Sequence, residues 1–274
     1  VSALRFTKMS GAGNDFVVLD RPAWESIPGA RIAWVRGVAR RGVSVGSDGV
    51  LVVDPPEGSR VRVTFLNPDG AEAFCGNGSR CAARFAHERL GAPASMTLAT
   101  AAGEVRAVVA GGRVSLTLAA PEDGGALDLE ASGRPVHARL IRAGVPHLVV
   151  RVDDVSAFPL ASLGPTLRRH PALGPGGANV TIVAAEGDSR IHVRTWERGV
   201  ENETLACGSG AIAAAFACRL DGGAASLEVV PASGLALRVT LDGDAAAPSA
   251  AHLAGDARFV FDGVLSAEGI ASRG

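Results

Sequence analysis

The sequence of 274 residues contains no tyrosine, and its only lysine is Lys8. A pyridoxal phosphate enzyme needs a lysine for its Schiff base, and Lys8 sits in a strand-like opening segment that suits that role poorly. No Gly-x-x-x-x-Gly-Lys-Ser/Thr loop is present, so phosphate cradling of the P-loop kind has no support. Gly11-Ala12-Gly13 resembles the start of a dinucleotide fingerprint. Phe16, however, stands where the third glycine belongs, and an apolar strand follows where a helix is needed. The net charge of −1 gives no electrostatic case for nucleic acid or an anionic membrane as a partner. No apolar run approaches the ~18 residues of a membrane span, and Val1 to Lys8 lack the layout of a signal peptide. Four cysteines are too few for a disulfide scaffold, and none forms a Cys-x-x-Cys pair. His87, His137, His170, His192 and His252 have no ligand-like spacing, so no metal site and no cofactor are expected. Together these absences leave a cytoplasmic enzyme acting on a small molecule.

What is present is an ordinary globular composition, 47% apolar and 20% charged, in a chain long enough for about two domains. Leu4–Met9 and Phe16–Leu19 read as a hairpin around Gly11-Ala12-Gly13-Asn14. Pro22 to Arg41 reads as helical from the spacing of Ile32, Val35 and Val38. Val50–Val53 reads as a buried strand, and Val61, Val63 and Phe65 as a half-exposed one. Pro121 to Gly125, rich in Pro, Gly and acid, is the best candidate linker. Beyond it come strands near Arg139–Ile141 and Leu148–Val150, a helix over Leu160–His170, and strands at Val180–Val183 and Ile191–Thr195. Phe259-Val260-Phe261 reads as a late strand, and Ala245 to Ala251 as a low-complexity loop.

The order of elements repeats. Gly13, Gly49 and Cys75 step along the first half at nearly the spacing of Gly144, Asn179 and Cys207 in the second. Cys75-Gly76-Asn77-Gly78 and Cys207-Gly208-Ser209-Gly210 each open an alanine-rich helical segment. A thiol at a helix start lies in the field of unpaired backbone N–H groups, which lowers its pKa. A repeat of this length suits two homologous domains facing each other across a cleft. It would place Cys75 and Cys207 on opposite walls, one as thiolate base and one as thiol acid. A carboxylate held between two helix N-termini would then have its α-carbon between two sulfurs, the arrangement of a cofactor-free racemase or epimerase.

Three segments carry a specific resemblance. They are Phe6-Thr7-Lys8-Met9-Ser10-Gly11-Ala12-Gly13-Asn14-Asp15-Phe16, Asn67-Pro68-Asp69-Gly70 with Cys75 to Cys81, and Glu197-Arg198-Gly199-Val200 with Glu203 to Gly210. In this order, over nearly the whole chain, they resemble the diaminopimelate epimerases. The resemblance implies an α+β fold of two pseudo-symmetric domains, each a β-barrel-like sheet around a central helix, with the active site in the interdomain cleft. With the linker, it implies halves at 1–121 and 122–263, a last strand near 264–274 returning to the first, and often a homodimer. It implies an isomerase of lysine and peptidoglycan biosynthesis that converts LL- to meso-diaminopimelate. Cys75 and Cys207 would be the base/acid pair, with Gly76, Asn77, Gly208 and Ser209 holding the reacting carboxylate. Asn14, Asn67, Asn179, Glu197 and Arg198 match substrate-contact positions, Arg198 suiting a distal carboxylate and Glu197 a distal ammonium. His147 matches a histidine near the cysteines, where with Glu197 it would assist thiol ionisation.

Two positions depart from the family pattern. Val145 stands where an asparagine is common, and Gly49 where some members carry glutamine. Val145 keeps open a related racemase of another amino acid, such as histidine or a proline-like imino acid. A thiol redox or metal-binding protein is the reading from another class, and the cysteine spacing supports neither form of it. Cys81 and Cys218 lie within the helical segments and read as core packing.

Overall fold

The computed structural model describes residues 4–270. Its elements are, in order, β1 (Leu4–Gly11), β2 (Asn14–Asp20), α1 (Arg21–Glu25), α2 (Arg31–Val38), β3 (Gly49–Val53), β4 (Arg60–Leu66), β5 (Glu72–Ala73), α3 (Gly76–Leu90), β6 (Ser95–Thr100), β7 (Gly103–Ala110) and β8 (Arg113–Leu118). There follow β9 (Glu122–Ala131), β10 (Arg134–Ala143), β11 (Val145–Arg151), α4 (Leu160–Arg168), β12 (Asn179–Glu186), β13 (Arg190–Glu197), β14 (Asn202–Thr204) and α5 (Gly208–Leu220). The chain ends with β15 (Ser226–Val230), β16 (Leu237–Gly243), β17 (Pro248–Asp256), β18 (Arg258–Leu265) and α6 (Ala267–Ile270). It forms two compact units. One runs to Leu116 and resumes at Gly255; the other is Thr117–Ala254.

The two units repeat one topology. In the first, β1 pairs antiparallel with β2, β2 parallel with β3, β3 antiparallel with β4, β4 parallel with β6, and β6 antiparallel with β7. In the second, β10, β11, β12, β13, β15 and β16 repeat that sequence of directions. The outer partner of β1 is β18, and that of β10 is β9. Each sheet packs around one helix. α3 touches six strands of the first unit and α5 six of the second. In α5 the buried residues run unbroken from Gly210 to Arg219, so the helix has no solvent face. Alanine at Ala211, Ala213, Ala214, Ala215 and Ala217 lets strands approach closely, and Phe216 is fully buried among them. The outer faces carry separate cores. Trp24, Trp34, Val35 and Val38 cover β2 and β3, and Leu160, Leu163 and Leu167 cover β11 and β12. Both β3 and the first six residues of β12 are fully buried, as strands covered on both faces must be.

Several expectations from the sequence are corrected. The helix over Pro22–Arg41 is two helices, broken at Pro28-Gly29, where Gly29 takes φ 73°. Pro121–Gly125 is no linker, because β9 begins at Glu122 and pairs with β10 across a bulge. That bulge breaks the period-two pattern and so hides the strand; Gly125 there takes φ 91°. The two units divide within β8, at Leu116/Thr117, and the chain from Gly255 onward, β18 included, belongs to the first. Ala245–Ala251 is not wholly a loop, since β17 starts at Pro248. The strand expected near 264–274 ends at Leu265 and gives way to α6; residues 271–274 lie outside the described residues.

α3 ends on Gly91, which takes φ 77° and donates its N–H to the Ala86 carbonyl. No atom lies within 4 Å of a Cβ built there, so only backbone strain opposes a side chain. Gly91→Ala is expected to lower unfolding free energy by about 1 kcal/mol, read by urea denaturation, with Gly91→Asn falling between.

Candidate active site

Cys75 is the N-cap of α3, with extended backbone (φ −137°, ψ 113°), and its sulfur accepts the Gly78 N–H at 3.3 Å. Serine, threonine or aspartate normally fills this position. A sulfur there meets the unpaired donors and positive dipole end that favour an anion. Gly78 keeps the turn tight, since a Cβ there would sit 3.1 Å from Leu51 and 3.5 Å from the Cys75 Cβ.

Around this turn lies a chain of polar groups. Asn77 is buried; its Nδ2 donates to Oδ1 of Asn14, and its Oδ1 accepts from Nη2 of Arg80 at 2.8 Å. Asn14 Nδ2 donates to Asp48 Oδ2 at 3.0 Å. Asp48 also accepts from the Asp15 N–H at 3.1 Å and from Arg41 at 2.8 Å. Lys8 is buried against Asp15 at 2.6 Å, and Arg41 bonds the same carboxylate. Burial alone would raise the Asp15 pKa, but hydrogen bonds from Arg41 and Lys8 hold it below the ordinary carboxylate range. The one lysine is thus an ion-pair partner in the sheet.

Asn67 makes its hydrogen bonds inside its own turn, to the Ala71 carbonyl at 3.2 Å through Nδ2. Gly49 answers the missing glutamine. A Cβ there would come within 2.4 Å of the Phe65 ring and 2.6 Å of the Leu66 carbonyl, so this chain has no room for a side chain at that place.

Cys207 is the corresponding N-cap of α5 (φ −119°, ψ 113°), without the cap bond from its side chain that Cys75 makes. Its sulfur lies 3.4 Å from Ser209 Oγ, which lies 2.9 Å from His147 Nε2. The neighbours of His147 determine its tautomer. The Arg198 backbone N–H donates to Asn179 Oδ1 at 2.7 Å, which turns Asn179 Nδ2 toward His147 Nε2 at 3.2 Å. Nε2 is therefore the acceptor, and Nδ1 carries the proton and donates to Thr181 Oγ1 at 3.0 Å. Complete burial, and then the charge of Arg198, push the His147 pKa down to about 3. The depressed pKa favours the neutral imidazole, which is linked to the cysteine turn by its hydrogen bond with Ser209.

Glu197 ends β13, where its Oε2 accepts from Thr204 Oγ1 at 2.9 Å. Arg198 follows, with its guanidinium on the Gly176 carbonyl at 3.1 Å. Arg198 lines a cavity of about 360 Å³ together with Val145, Pro146, Leu140, Leu173 and Gly176. Val145, which departs from the family pattern, thus shares a cavity with Arg198. Gly76 and Gly208 are the first residues of α3 and α5.

Cys81 and Cys218 are core residues. Burial pushes the Cys81 thiol up to about 12 and raises that of Cys218. Among the described residues no cluster of three His, Cys, Asp or Glu side chains is placed to hold a metal ion. The sequence reading missed Arg80, Asp48 and Thr181 as supports of the site. Arg80 carried no distinctive signal, because Arg84, His87, Glu88 and Arg89 lie on the same helix.

The sequence pattern of the family described as diaminopimelate epimerase matches residues 6–117 and 139–260. The chain belongs to the diaminopimelate epimerase family. It is 37% identical to the diaminopimelate epimerase of Aquifex aeolicus over 97% of this chain and 99% of that one. It is 36% identical to that of Archaeoglobus fulgidus, with 96% of each chain covered. Among solved structures it shares its fold with a hydroxyproline epimerase from Agrobacterium vitis (TM-score 0.70, 18% identity, 96% of this chain and 91% of that one). A Bacillus anthracis protein of the PhzF family is similarly related (TM-score 0.70, 15% identity, 97% and 100% covered). Family members are isomerases, and the α+β fold of two repeated units is common to these relatives.

A histidine whose folded pKa is depressed resists protonation that the unfolded chain accepts. Stability is therefore complete above the unfolded value of about 6.5 and is lost as pH falls from there toward 3, by up to about 1.4 kcal/mol per pH unit. Urea denaturation of the wild type between pH 7 and 4.5 is expected to show this loss, and His147→Gln to lack it. Equal slopes for the two proteins would refute the neutral buried imidazole.

Proposed function

We propose that this chain inverts one α-centre of diaminopimelate, interconverting the LL and meso forms without a cofactor, with Cys75 and Cys207 as the two proton carriers. The observation that carries the reading is the recurrence of a cysteine N-cap on a buried helix at the same point of a repeated topology, in a chain of this family. The mechanism requires the two sulfurs to address the same α-carbon from opposite faces. One thiolate takes the α-proton, and the electron pair left behind delocalises into the adjacent carboxylate. The opposite thiol then gives its proton to the other face. The centre is inverted, and the two cysteines have exchanged thiol and thiolate roles.

The proton is weakly acidic, so the developing charge needs preorganised donors. The N–H groups at Gly76, Asn77, Gly208 and Ser209 are suited to this by lying at helix N-termini. Asn14, Asn67 and Asn179 would bind the substrate, with Glu197 taking the distal ammonium and Arg198 the distal carboxylate. His147, neutral and fixed in one tautomer, would orient Ser209 beside Cys207. The reading extends to a cytoplasmic homodimer in lysine and peptidoglycan precursor synthesis, as the family resemblance implies; light scattering reads the oligomeric state.

Reduced enzyme in deuterated water is expected to carry deuterium into the α-position of LL- and meso-diaminopimelate. Cys75→Ala and Cys207→Ala should each lower epimerisation at least about a thousandfold. A fully active single variant would sink the two-thiol mechanism. Faster racemisation of histidine or proline than of diaminopimelate, in the same assay, would overturn the substrate and point to Val145.

A further inference from the structure

Two donors converge on one acceptor beside Cys207. The neutral His147 ring has a single accepting nitrogen, Nε2. Asn179 Nδ2 lies 3.2 Å from it and Ser209 Oγ 2.9 Å. The two donors are not equally free. The Arg198 backbone N–H holds Asn179 Oδ1 at 2.7 Å, which fixes the amide with its NH2 toward the ring. The ring is fixed as well, with Nδ1 at 3.0 Å from Thr181 Oγ1, and His147, Asn179 and Thr181 are all buried. The Ser209 hydroxyl is different. Its oxygen also lies 3.4 Å from the Cys207 sulfur, and rotation about the Cβ–Oγ bond aims its proton at either neighbour. With Asn179 in place, Nε2 keeps a donor when that proton turns away.

We propose that the Ser209 hydroxyl is a two-position donor that reverses with the charge of Cys207. When Cys207 is a thiol, its S–H donates to Ser209 Oγ, and the Ser209 O–H donates to His147 Nε2. When Cys207 is a thiolate, the Ser209 O–H turns to the sulfur, and Asn179 alone serves Nε2. No proton changes owner in this turn; the proton that Cys207 gains or loses is the one exchanged with the substrate α-carbon. The ring nitrogen and the hydroxyl thus stay bonded in both states of the carrier, as a site that works in both directions requires. A donor fixed on the sulfur would favour the thiolate alone, and an acceptor fixed there the thiol alone. Ser209 acts here through Cys207 and is a positioning residue, while the carboxylate role proposed for it uses its backbone N–H. The inference rests on the reading that Cys207 alternates between thiol and thiolate.

The test follows the thiolate fraction of Cys207 through its rate of reaction with methyl methanethiosulfonate at one neutral pH, read by mass spectrometry in the full chain carrying Cys75→Ala. Only a thiolate reacts, and burial holds Cys81 and Cys218 as thiols. Adding Ser209→Ala is expected to slow the reaction about tenfold or more, because the thiolate loses a charge-assisted donor, and Ser209→Thr to keep it within about threefold. His147→Leu should speed it about threefold or more, because a hydroxyl with no ring to bond turns to the sulfur. Asn179→Ala should slow it about threefold or more, since Nε2 is then left unbonded whenever the hydroxyl turns away. Once Ser209 is alanine, neither of these two substitutions should change the rate by more than about twofold. A merely structural role would move both in the same direction. A loss below about threefold in Ser209→Ala overturns the inference, as do equal signs for the His147 and Asn179 variants or effects that persist without Ser209. If His147→Leu does not fold, Asn179→Ala with and without Ser209 decides. If Cys207→Ala epimerises diaminopimelate as fast as the wild type, the two-thiol reading falls, and the modification rates still decide what the hydroxyl does.

Discussion

Each unit of this protein depends on a helix buried within a sheet with its N-terminal donors needing a partner. A helix leaves its first N–H groups without intrahelical acceptors, and burial removes water as the substitute. α5 has no solvent face from Gly210 to Arg219, and α3 is buried over most of its first turns. Small side chains make that burial feasible, and glycine at the first turn lets the backbone come close to whatever answers the donors. In both units the residue at that point is cysteine, and at Cys75 the sulfur itself accepts a first-turn N–H, that of Gly78.

The two units meet this constraint with different support. Beside Cys75 the polar groups form a line with a charge at each end, Arg80 and Asp48, and two amides between them. Beside Cys207 the support is neutral. His147 keeps one tautomer because the Arg198 N–H orients Asn179, and it reaches the cysteine turn through Ser209. Ionic ends suit a line of groups that includes half-exposed Asn14 and Asp48. A neutral ring suits the completely buried position of His147, where a charge would be costly to keep.

Much of this was legible in the chain alone. Strands β2, β3 and β4 are marked by apolar runs or alternation, and α3 and α5 by the alanine-rich segments after each Cys-Gly turn. The repeat was visible in the spacing of Gly13, Gly49 and Cys75 against Gly144, Asn179 and Cys207. What was not legible has physical reasons. The bulge in β9 disrupts alternation just where composition suggests a linker. β17 begins among small residues whose pattern carries almost no contrast between inside and outside. The break at Pro28-Gly29 lies within a hydrophobic spacing that a longer helix would also produce.

By itself, the sequence determined the identity of the two thiols, their place at helix starts, and the glycines that make those turns tight, because capping and periodicity are local properties. The tertiary structure alone decided how those turns are held. Arg80 and Asp48 lie far apart in the chain and meet only through two folded amides. The tautomer of His147 depends on Asn179 and Arg198, which a parallel strand pair and its following hairpin bring to it. Gly49 proved to be a demand for space set by Phe65 and Leu66. The Cys-Gly turns were local and could be read; the bonds from Asn77 to Asn14, from Asn14 to Asp48 and from Ser209 to His147 are long-range, and only folding could assign them.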